Sequence, residues 1–151
     1  DVIIPAGRGG LTQIDHLIKL PVGIAVIETK NYSGRIFGKE REATWTQVIG
    51  RQKNKFQNPL RQNYLHVEAI KKLVPESVDV FGQVLFVGDA KFKEMPEGVS
   101  SLRELTKHLN LPIERGIPQH IHDAWDAIED AVQDDPGARE RHLLAIKMEQ
   151  A

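Results

Sequence analysis

Two segments of this sequence can bring two carboxylates and an ammonium group to one point. Asp15 lies just before the apolar run 17–20, and Glu28 and Lys30 follow the apolar run 24–27. The residues between the two runs have the composition of a tight hairpin turn, so the runs are expected to pair as antiparallel strands. The sequence therefore predicts that the three charged residues cluster on one face of a sheet.

The length of the turn decides which residue lies across from Asp15. A two-residue turn sets Asp15 opposite Glu28, with their Cβ atoms about 4.5–5.5 Å apart. A three-residue turn moves the register by one and sets Thr29 opposite Asp15. In the first register, strict alternation also puts Lys30 on the face of Glu28 and across from Gln13.

This cluster is suited to metal-assisted chemistry on phosphates. Two facing carboxylates are costly to keep ionised unless a positive charge lies between them. Mg²⁺ or Mn²⁺ suits carboxylate oxygens and completes its shell with water and substrate phosphate oxygens. Lys30 could then hold the attacking water or stabilise the developing negative charge. The alternative is a structural ion pair on a solvated sheet, although Glu28 ends a continuous apolar run, and such conflicts with core packing are typical of functional sites.

Several motifs resemble, in order, those of the nuclease-related (NERD) domain, a family of PD-(D/E)xK restriction-endonuclease-like nucleases. Segment 12–16, Thr-Gln-Ile-Asp-His, is similar to its TQIDH element, and segment 26–34 is similar to its ExK strand and the following turn. Trp45 and segment 58–63, Asn-Pro-Leu-Arg-Gln-Asn, are similar to its later Trp and NPxxQN elements. An ordered set over roughly two-thirds of the chain is far more specific than a lone ExK motif.

The resemblance implies an α/β fold with a mixed central β-sheet flanked by helices, the restriction-endonuclease-like core. It implies Mg²⁺- or Mn²⁺-dependent hydrolysis of phosphodiester bonds in nucleic acid, with DNA as the expected substrate and an endonuclease as the expected enzyme. Asp15 and Glu28 would be the metal ligands together with the backbone carbonyl of Thr29, and Lys30 would orient the attacking water.

One departure keeps other functions open. Family members usually carry an N-terminal helix with a Gly-Glu pair ahead of the first strand, whereas this chain opens on residues 1–4, Asp-Val-Ile-Ile. A fourth acidic ligand is therefore expected to be missing. The alternatives are a nucleic-acid-binding or regulatory module that cleaves weakly or not at all, and a structural accessory domain of a larger defence or repair protein.

A helix is predicted to begin at Asn58, since Asn followed by Pro59 is typical of an N-cap and the first helical position. The pattern continues to about Leu73. Gln62 and His66 share a stripe that becomes apolar, so both are expected to face inward. In the family this helix packs against the active-site edge, which implies that Gln62 contacts the scissile phosphate or a metal-bound water. Alternatively, Gln62 caps a buried backbone group and His66 is a hydrogen-bonded core histidine.

A positive stretch lies between Glu42 and Glu68, where no acidic residue occurs. Two aromatic residues, Trp45 and Phe56, are interleaved with its basic residues. Next to a carboxylate site, such basic side chains can hold the phosphates that flank the cleaved bond. The alternative is a solvated loop face. The expected nucleic-acid-binding residues are Arg51, Lys53, Lys55 and Arg61.

Composition and length indicate one domain of an ordinary soluble protein. The chain has 151 residues, a formal net charge of -1 and no cysteine, which excludes disulfides, a zinc ribbon and a thiol nucleophile. No apolar stretch approaches the roughly 20 residues needed to span a bilayer, and no signal peptide opens the chain. We therefore expect a cytoplasmic protein without a membrane partner. Homodimerisation, or fusion to a helicase or another DNA-processing domain, is left open.

The remaining pattern predicts the other elements and the domain boundary. A hairpin is expected from segments 34–38 and 44–49, a buried strand over 82–88, and helices over 102–109 and 118–132. A NERD-like nuclease domain is expected over residues 1–132. Residues 133–151 are expected to form a linker and a last helix, over 138–148, that packs on the domain or leads to a fused partner.

Overall fold

The computed structural model describes residues 1–109 and 116–133, together with residues 137, 138, 140, 141 and 144. Its strands are β1 (Val2–Pro5), β2 (Leu11–Ile14), β3 (His16–Leu20), β4 (Gly23–Lys30), β5 (Gly34–Phe37), β6 (Thr44–Ile49), β7 (Gln52–Gln57), β8 (Val80–Phe86), β9 (Ala90–Phe92) and β10 (Val99–Ser101). Its helices are α1 (Pro59–Lys71), α2 (Leu102–Leu109) and α3 (Gln119–Ala131).

A mixed sheet with the strand order β10-β8-β4-β3 lies at the centre. Strands β3 and β4 are antiparallel, whereas β4, β8 and β10 run parallel to one another. Helix α1 packs against β4 and β8 on one face, and α2 packs on the other. The predicted α/β fold, a mixed sheet flanked by helices, is thereby confirmed, and it is compatible with a restriction-endonuclease-like core.

Strand β4 is buried from Gly23 to Glu28 because helices cover both faces of the sheet. Ile24 and Val26 pack in the cluster that contains α1, whereas Ala25 and Ile27 pack in the cluster that contains α2. Burying one such aliphatic side chain contributes about 1.5–3 kcal/mol. The alternation along β4 therefore fixes which of its side chains face α1.

The hairpin between β3 and β4 has the predicted two-residue turn. Leu20 pairs with Gly23, and the register continues to His16 opposite Ile27. Gly23 is required here, because its φ is 146° and an added Cβ would lie 2.3 Å from the carbonyl oxygen of Asp79.

The strand before the hairpin is interrupted at Asp15, which forms a bend between β2 and β3. Strand β2 leaves the central sheet and pairs with β1, so that Gln13 lies opposite Ile3. The prediction that Gln13 lies across from Lys30 is therefore wrong, since it assumed one continuous strand. The bend turns Asp15 out of the ladder between β3 and β4.

A second sheet, of order β7-β6-β5-β9, contains the hairpin predicted from segments 34–38 and 44–49. Its inner face packs on β8 through Ile36 and Trp45. The Trp45 ring is stacked on Phe86, with 6.4 Å between the ring centroids. Lys53 and Lys55 lie on strand β7. This part of the positive stretch therefore belongs to a sheet, whereas the alternative interpretation places it on a solvated loop face.

Helix α1 begins where the sequence predicts and ends slightly earlier, at Lys71. The Asn58 side chain accepts a hydrogen bond from the Leu60 N–H at 2.9 Å, which is the expected N-cap contact. Strand β8 and helices α2 and α3 agree with their predicted segments to within about two residues at either end. The predicted helix over 138–148 lies largely outside the described residues, and the boundary at residue 132 stays a prediction. None of the described helices combines the length and apolarity needed to cross a membrane.

Candidate active site at the end of strand β4

The end of β4 and the start of α1 face each other across the central sheet. Glu28 pairs with Val84 and Lys30 with Phe86, so both charged side chains share the face that α1 covers. Gln62 and His66, one turn apart on α1, point at this face. Four polar side chains therefore meet at one point between the strand and the helix.

Glu28 is the buried acid of the cluster, with 3% of its surface exposed. Its Oε1 accepts a hydrogen bond from the Lys30 Nζ at 2.5 Å, and its Oε2 lies 3.5 Å from the Nδ1 of His66. Burial raises the pKa of the Glu28 carboxyl above its ordinary value of 4.5, and the negative charge of Asp15 adds to this effect. The hydrogen bond and the positive charge of Lys30 act in the opposite direction.

Lys30 connects the strand to the helix. Its Nζ also donates a hydrogen bond to the Oε1 of Gln62 at 3.1 Å. The side chain keeps 20% of its surface exposed, so the ammonium group can be reached from solvent. Two acceptors therefore fix the direction of a cation at the edge of the site.

Asp15 is held beside β4 by the backbone. Its Oδ2 accepts a hydrogen bond from the Thr29 N–H at 2.8 Å. The Thr29 side chain lies on the opposite face of the strand, where its hydroxyl oxygen is buried without a hydrogen-bond partner among the described residues. Thr29 therefore serves this site through its backbone alone.

The donor set suits Mg²⁺ or Mn²⁺. Among the residues that the structure describes, no group of three or more His, Cys, Asp or Glu residues could hold a metal ion. A structural zinc site needs four nitrogen or sulfur ligands and is not present in that part of the chain. Mg²⁺ instead takes one or two carboxylates and completes its shell with water and phosphate oxygens. Asp15 and Glu28, with the carbonyl of Thr29, meet that requirement.

Asn63 positions the helix, a role that the sequence pattern did not predict. It is buried, and its Nδ2 donates hydrogen bonds to the carbonyl oxygens of Val26 at 3.0 Å and Gln83 at 3.2 Å. An added Cβ at Gly82 would lie 2.9 Å from that Nδ2, so glycine allows the close approach. The available signal was the position of Asn63 directly after Gln62 in the NPxxQN motif.

Asp15, Glu28, Lys30 and Gln62 come together, whereas the four predicted basic residues lie on a turn, a strand and a helix. Arg51 lies in the turn between β6 and β7. Lys53 and Lys55 lie on β7, on the face opposite the buried Trp45 and Phe56 pair. Arg61 lies on α1, beside a depression lined by Gln57 and Tyr64. The role of these four residues in binding nucleic acid stays a prediction.

Comparison with known proteins identifies the family. The model of the nuclease-related domain, NERD, matches residues 1–87, more than half of the 151-residue chain. The chain belongs to the nuclease-related domain family. The NERD match contains Asp15, Glu28, Lys30 and Gln62, and therefore the whole candidate site.

A curated relative shares the NERD part of the chain. An uncharacterized protein of Bacillus anthracis is 46% identical over 86 residues, which are 57% of this chain and 41% of that protein. The chain thus spans less than half the length of this relative. No solved structure matches the chain.

Proposed function

We propose that this NERD domain hydrolyses phosphodiester bonds of nucleic acid with bound Mg²⁺ or Mn²⁺, with DNA as the substrate and cleavage at internal positions. The observation that supports this most directly is the position of Lys30. Its ammonium group lies between Glu28 and Gln62, partly exposed, at the strand end that also holds Asp15. A cation held in this way can stabilise negative charge that develops on phosphate oxygens.

Asp15, Glu28 and the backbone carbonyl of Thr29 are the proposed metal ligands. When bound, the ion would lower the pKa of a water molecule and neutralise charge on the scissile phosphate. In the metal-free protein, the Thr29 N–H and Lys30 hold the two carboxylates in place. These hydrogen bonds support the proposal because they restrict the orientations of both carboxylates.

Lys30 and Gln62 are the proposed catalytic side chains that do not bind metal. The Lys30 ammonium donates a hydrogen bond to the attacking water and stabilises the charge added to the phosphate. Gln62 orients Lys30 through its oxygen, so its amide NH₂ group is the donor directed to the substrate. The Nδ1 of His66 lies 3.5 Å from the second oxygen of Glu28, so His66 is assigned a positioning role.

The test is cleavage of supercoiled plasmid DNA in Mn²⁺, Mg²⁺ or EDTA. Nicked and linear products with Mn²⁺ or Mg²⁺, and none in EDTA, are expected. Asp15→Asn should lower the rate by at least about 100-fold, whereas Asp126→Asn, an exposed carboxylate on α3, should leave it unchanged. Absence of cleavage with every divalent ion, or equal rates in Asp15→Asn and the wild type, would contradict the proposal. Mn²⁺ density between Asp15 and Glu28 in a soaked crystal is the expected structural counterpart.

The Lys30–Glu28 pair also favours a second candidate, a nucleic-acid-binding module that does not cleave. Lys30 already supplies a counter-charge to the buried carboxylate, so the fold does not need a metal to neutralise it. This candidate predicts salt-dependent binding of DNA with no product at any divalent ion concentration. The plasmid-cleavage assay therefore separates the two candidates, because only the nuclease gives a product.

A further inference from the structure

The outer face of the second sheet carries only neutral and basic side chains. None of the residues in β5, β6, β7 and β9 is acidic. Since Ile36 and Trp45 face the core, alternation directs Arg35 and Phe37 outward on β5. Register then places Lys53 and Lys91 on the same outer face as Arg35. The basic sheet face is defined here by Arg35, Phe37, Lys53, Lys55 and Lys91.

The basic side chains form a row across the four strands. Lys53 pairs with Val48, Val48 with Arg35, and Arg35 with Lys91. With strands about 4.8 Å apart, the row spans about 14 Å. Lys55, two residues from Lys53, adds a fourth cation on the same face. All four basic side chains are exposed, in a chain whose formal net charge is -1.

An aromatic side chain completes this face. Phe37 has 47% of its surface exposed, although it lies on the same strand as the buried Ile36. Exposed aromatic rings beside basic side chains are the arrangement on which unpaired bases stack while their phosphates are neutralised.

Acidic residues border the basic sheet face. Asp89 lines a depression of about 530 Å³ together with Arg35 and Lys91. A larger depression of about 1130 Å³ is lined by Phe37, by four glutamates and by four basic residues; the charged ones are Glu40, Glu42, Glu94, Glu97, Lys39, Arg41, Lys55 and Lys93. Opposite charges are therefore equal in number in this depression, whereas the row from Lys53 to Lys91 is positive, so a polyanion is favoured along the row.

The basic sheet face is close to the candidate active site. Arg35 is five positions after Lys30, so their Cα atoms are at most about 18 Å apart. Tyr32, between them, packs against Phe56 with ring centroids 4.6 Å apart, which ties this sheet to the end of β4. A nucleic acid at the candidate active site can therefore extend onto this face.

We propose that the basic sheet face binds an unpaired segment of nucleic acid, with its four cations on phosphates and Phe37 stacked on a base. This inference rests on the proposed function only in that both require a nucleic-acid ligand. It assigns binding roles to Arg35, Phe37 and Lys91. Of the four basic residues predicted from the sequence, it includes Lys53 and Lys55 and leaves out Arg51 and Arg61.

The test is fluorescence anisotropy in EDTA, with a labelled single-stranded 20-mer and a duplex of the same sequence. Replacing Arg35, Lys53, Lys55 and Lys91 together by Gln should lower the slope of log affinity against log salt by roughly 0.7 per contact, or about 2.8 in all, for the single strand. The matched control replaces four exposed cations of α1 and α2 by Gln and should keep the wild-type slope; these are Lys71, Lys72, Arg103 and Lys107.

Phe37→Ala tests the unpaired-strand part of the proposal. It should weaken binding of the single strand by at least about fivefold and binding of the duplex by less. Equal weakening of both probes, or no weakening, would overturn that assignment. Should circular dichroism show that the fourfold variant does not fold, Lys53→Gln and Lys91→Gln alone should each lower the slope by roughly 0.7.

A wild-type slope in the fourfold variant, an equal loss in the control, or no binding by the wild type would overturn the inference. Failure of the proposed function gives a different result. A wild type that binds the single strand through this face but cleaves nothing with any divalent ion refutes the nuclease alone. A wild type that cleaves plasmid while the fourfold variant binds with an unchanged slope refutes the basic sheet face alone.

Discussion

Glu28 carries the main electrostatic cost of the site. Its carboxylate is buried, and burial raises its pKa, while the hydrogen bond and charge of Lys30 oppose the rise. A buried charge without its partner is far more costly than the pair. The charge state of Glu28 therefore depends on a residue that is also proposed to act on the substrate.

Lys30→Ala should lower the rate of Mn²⁺-dependent plasmid cleavage by about 10²–10³-fold, because the ammonium group acts mainly on charge that develops in the transition state. Binding of DNA in EDTA should change little. Lys72→Ala, at the exposed end of α1, is the control and should cleave like the wild type. Wild-type rates in Lys30→Ala would contradict the assigned role.

Glu28→Gln should change the pH dependence of stability in metal-free protein. The folded pKa of Glu28 is raised, so the wild type is favoured by protonation and loses stability relative to the variant as pH rises from 4.5 through the folded pKa. A difference of one unit between the folded and unfolded pKa values corresponds to about 1.4 kcal/mol in the free energy of unfolding. Urea unfolding between pH 4 and pH 8 in EDTA measures the difference, with the exposed Glu76→Gln as control. A difference that does not vary with pH, or grows in the opposite direction, would contradict the raised pKa.

At the scale of the elements, Asn58 joins helix α1 to the second sheet. The residue is fully buried and accepts the N-cap hydrogen bond from Leu60. Its Nδ2 donates to the carbonyl oxygens of Lys39, Glu40 and Glu42 at 3.3, 2.9 and 2.7 Å. One side chain thus fixes both the start of the helix that carries Gln62 and the connection between β5 and β6.

Asn58→Ala should lower the free energy of unfolding by about 2–3 kcal/mol, because it removes the cap and leaves backbone carbonyls without a donor. Asn58→Ser keeps a capping oxygen but is too short to reach the connection, so it should recover only about 1 kcal/mol. Urea unfolding of both variants measures the two contributions. Equal stabilities of the Ala and Ser variants would show that the cap contributes nothing.

For the whole molecule, the site lies where three elements of the fold meet. The bend before β3 supplies Asp15, the central sheet supplies Glu28 and Lys30, and α1 supplies Gln62. A ligand that bridges Asp15 and Glu28 is bound only when these parts are assembled. Metal binding should therefore stabilise the fold as a whole.

Mn²⁺ at about a hundred times its dissociation constant should raise the melting temperature by about 5–10 °C. Asp15→Asn should abolish this increase, since it removes one ligand. In EDTA the same variant should be as stable as the wild type or more so, because it removes repulsion with Glu28 and retains an oxygen to accept the Thr29 N–H. A loss of several degrees in EDTA would instead support a structural ion pair.

The sequence by itself determined the features that depend on neighbouring residues. The two-residue turn after Leu20 and the alternation along β4 predicted that Asp15 and Glu28 come together. Asn58 followed by Pro59 predicted the start of α1. These features follow from backbone geometry and capping within a few residues, so no distant contact is needed to infer them. The family motifs then supplied the expected chemistry.

Only the tertiary structure decided the features that depend on distant contacts. It ended the ladder at Asp15, because β2 pairs with β1, and it placed β8 beside β4 across more than fifty residues of sequence. It also brought Gln62 to Lys30 and placed Lys53 and Arg61 on different elements, β7 and α1. The physical reason is that which face of a strand or helix is buried depends on the element that covers it, and that element is fixed only when the core is packed.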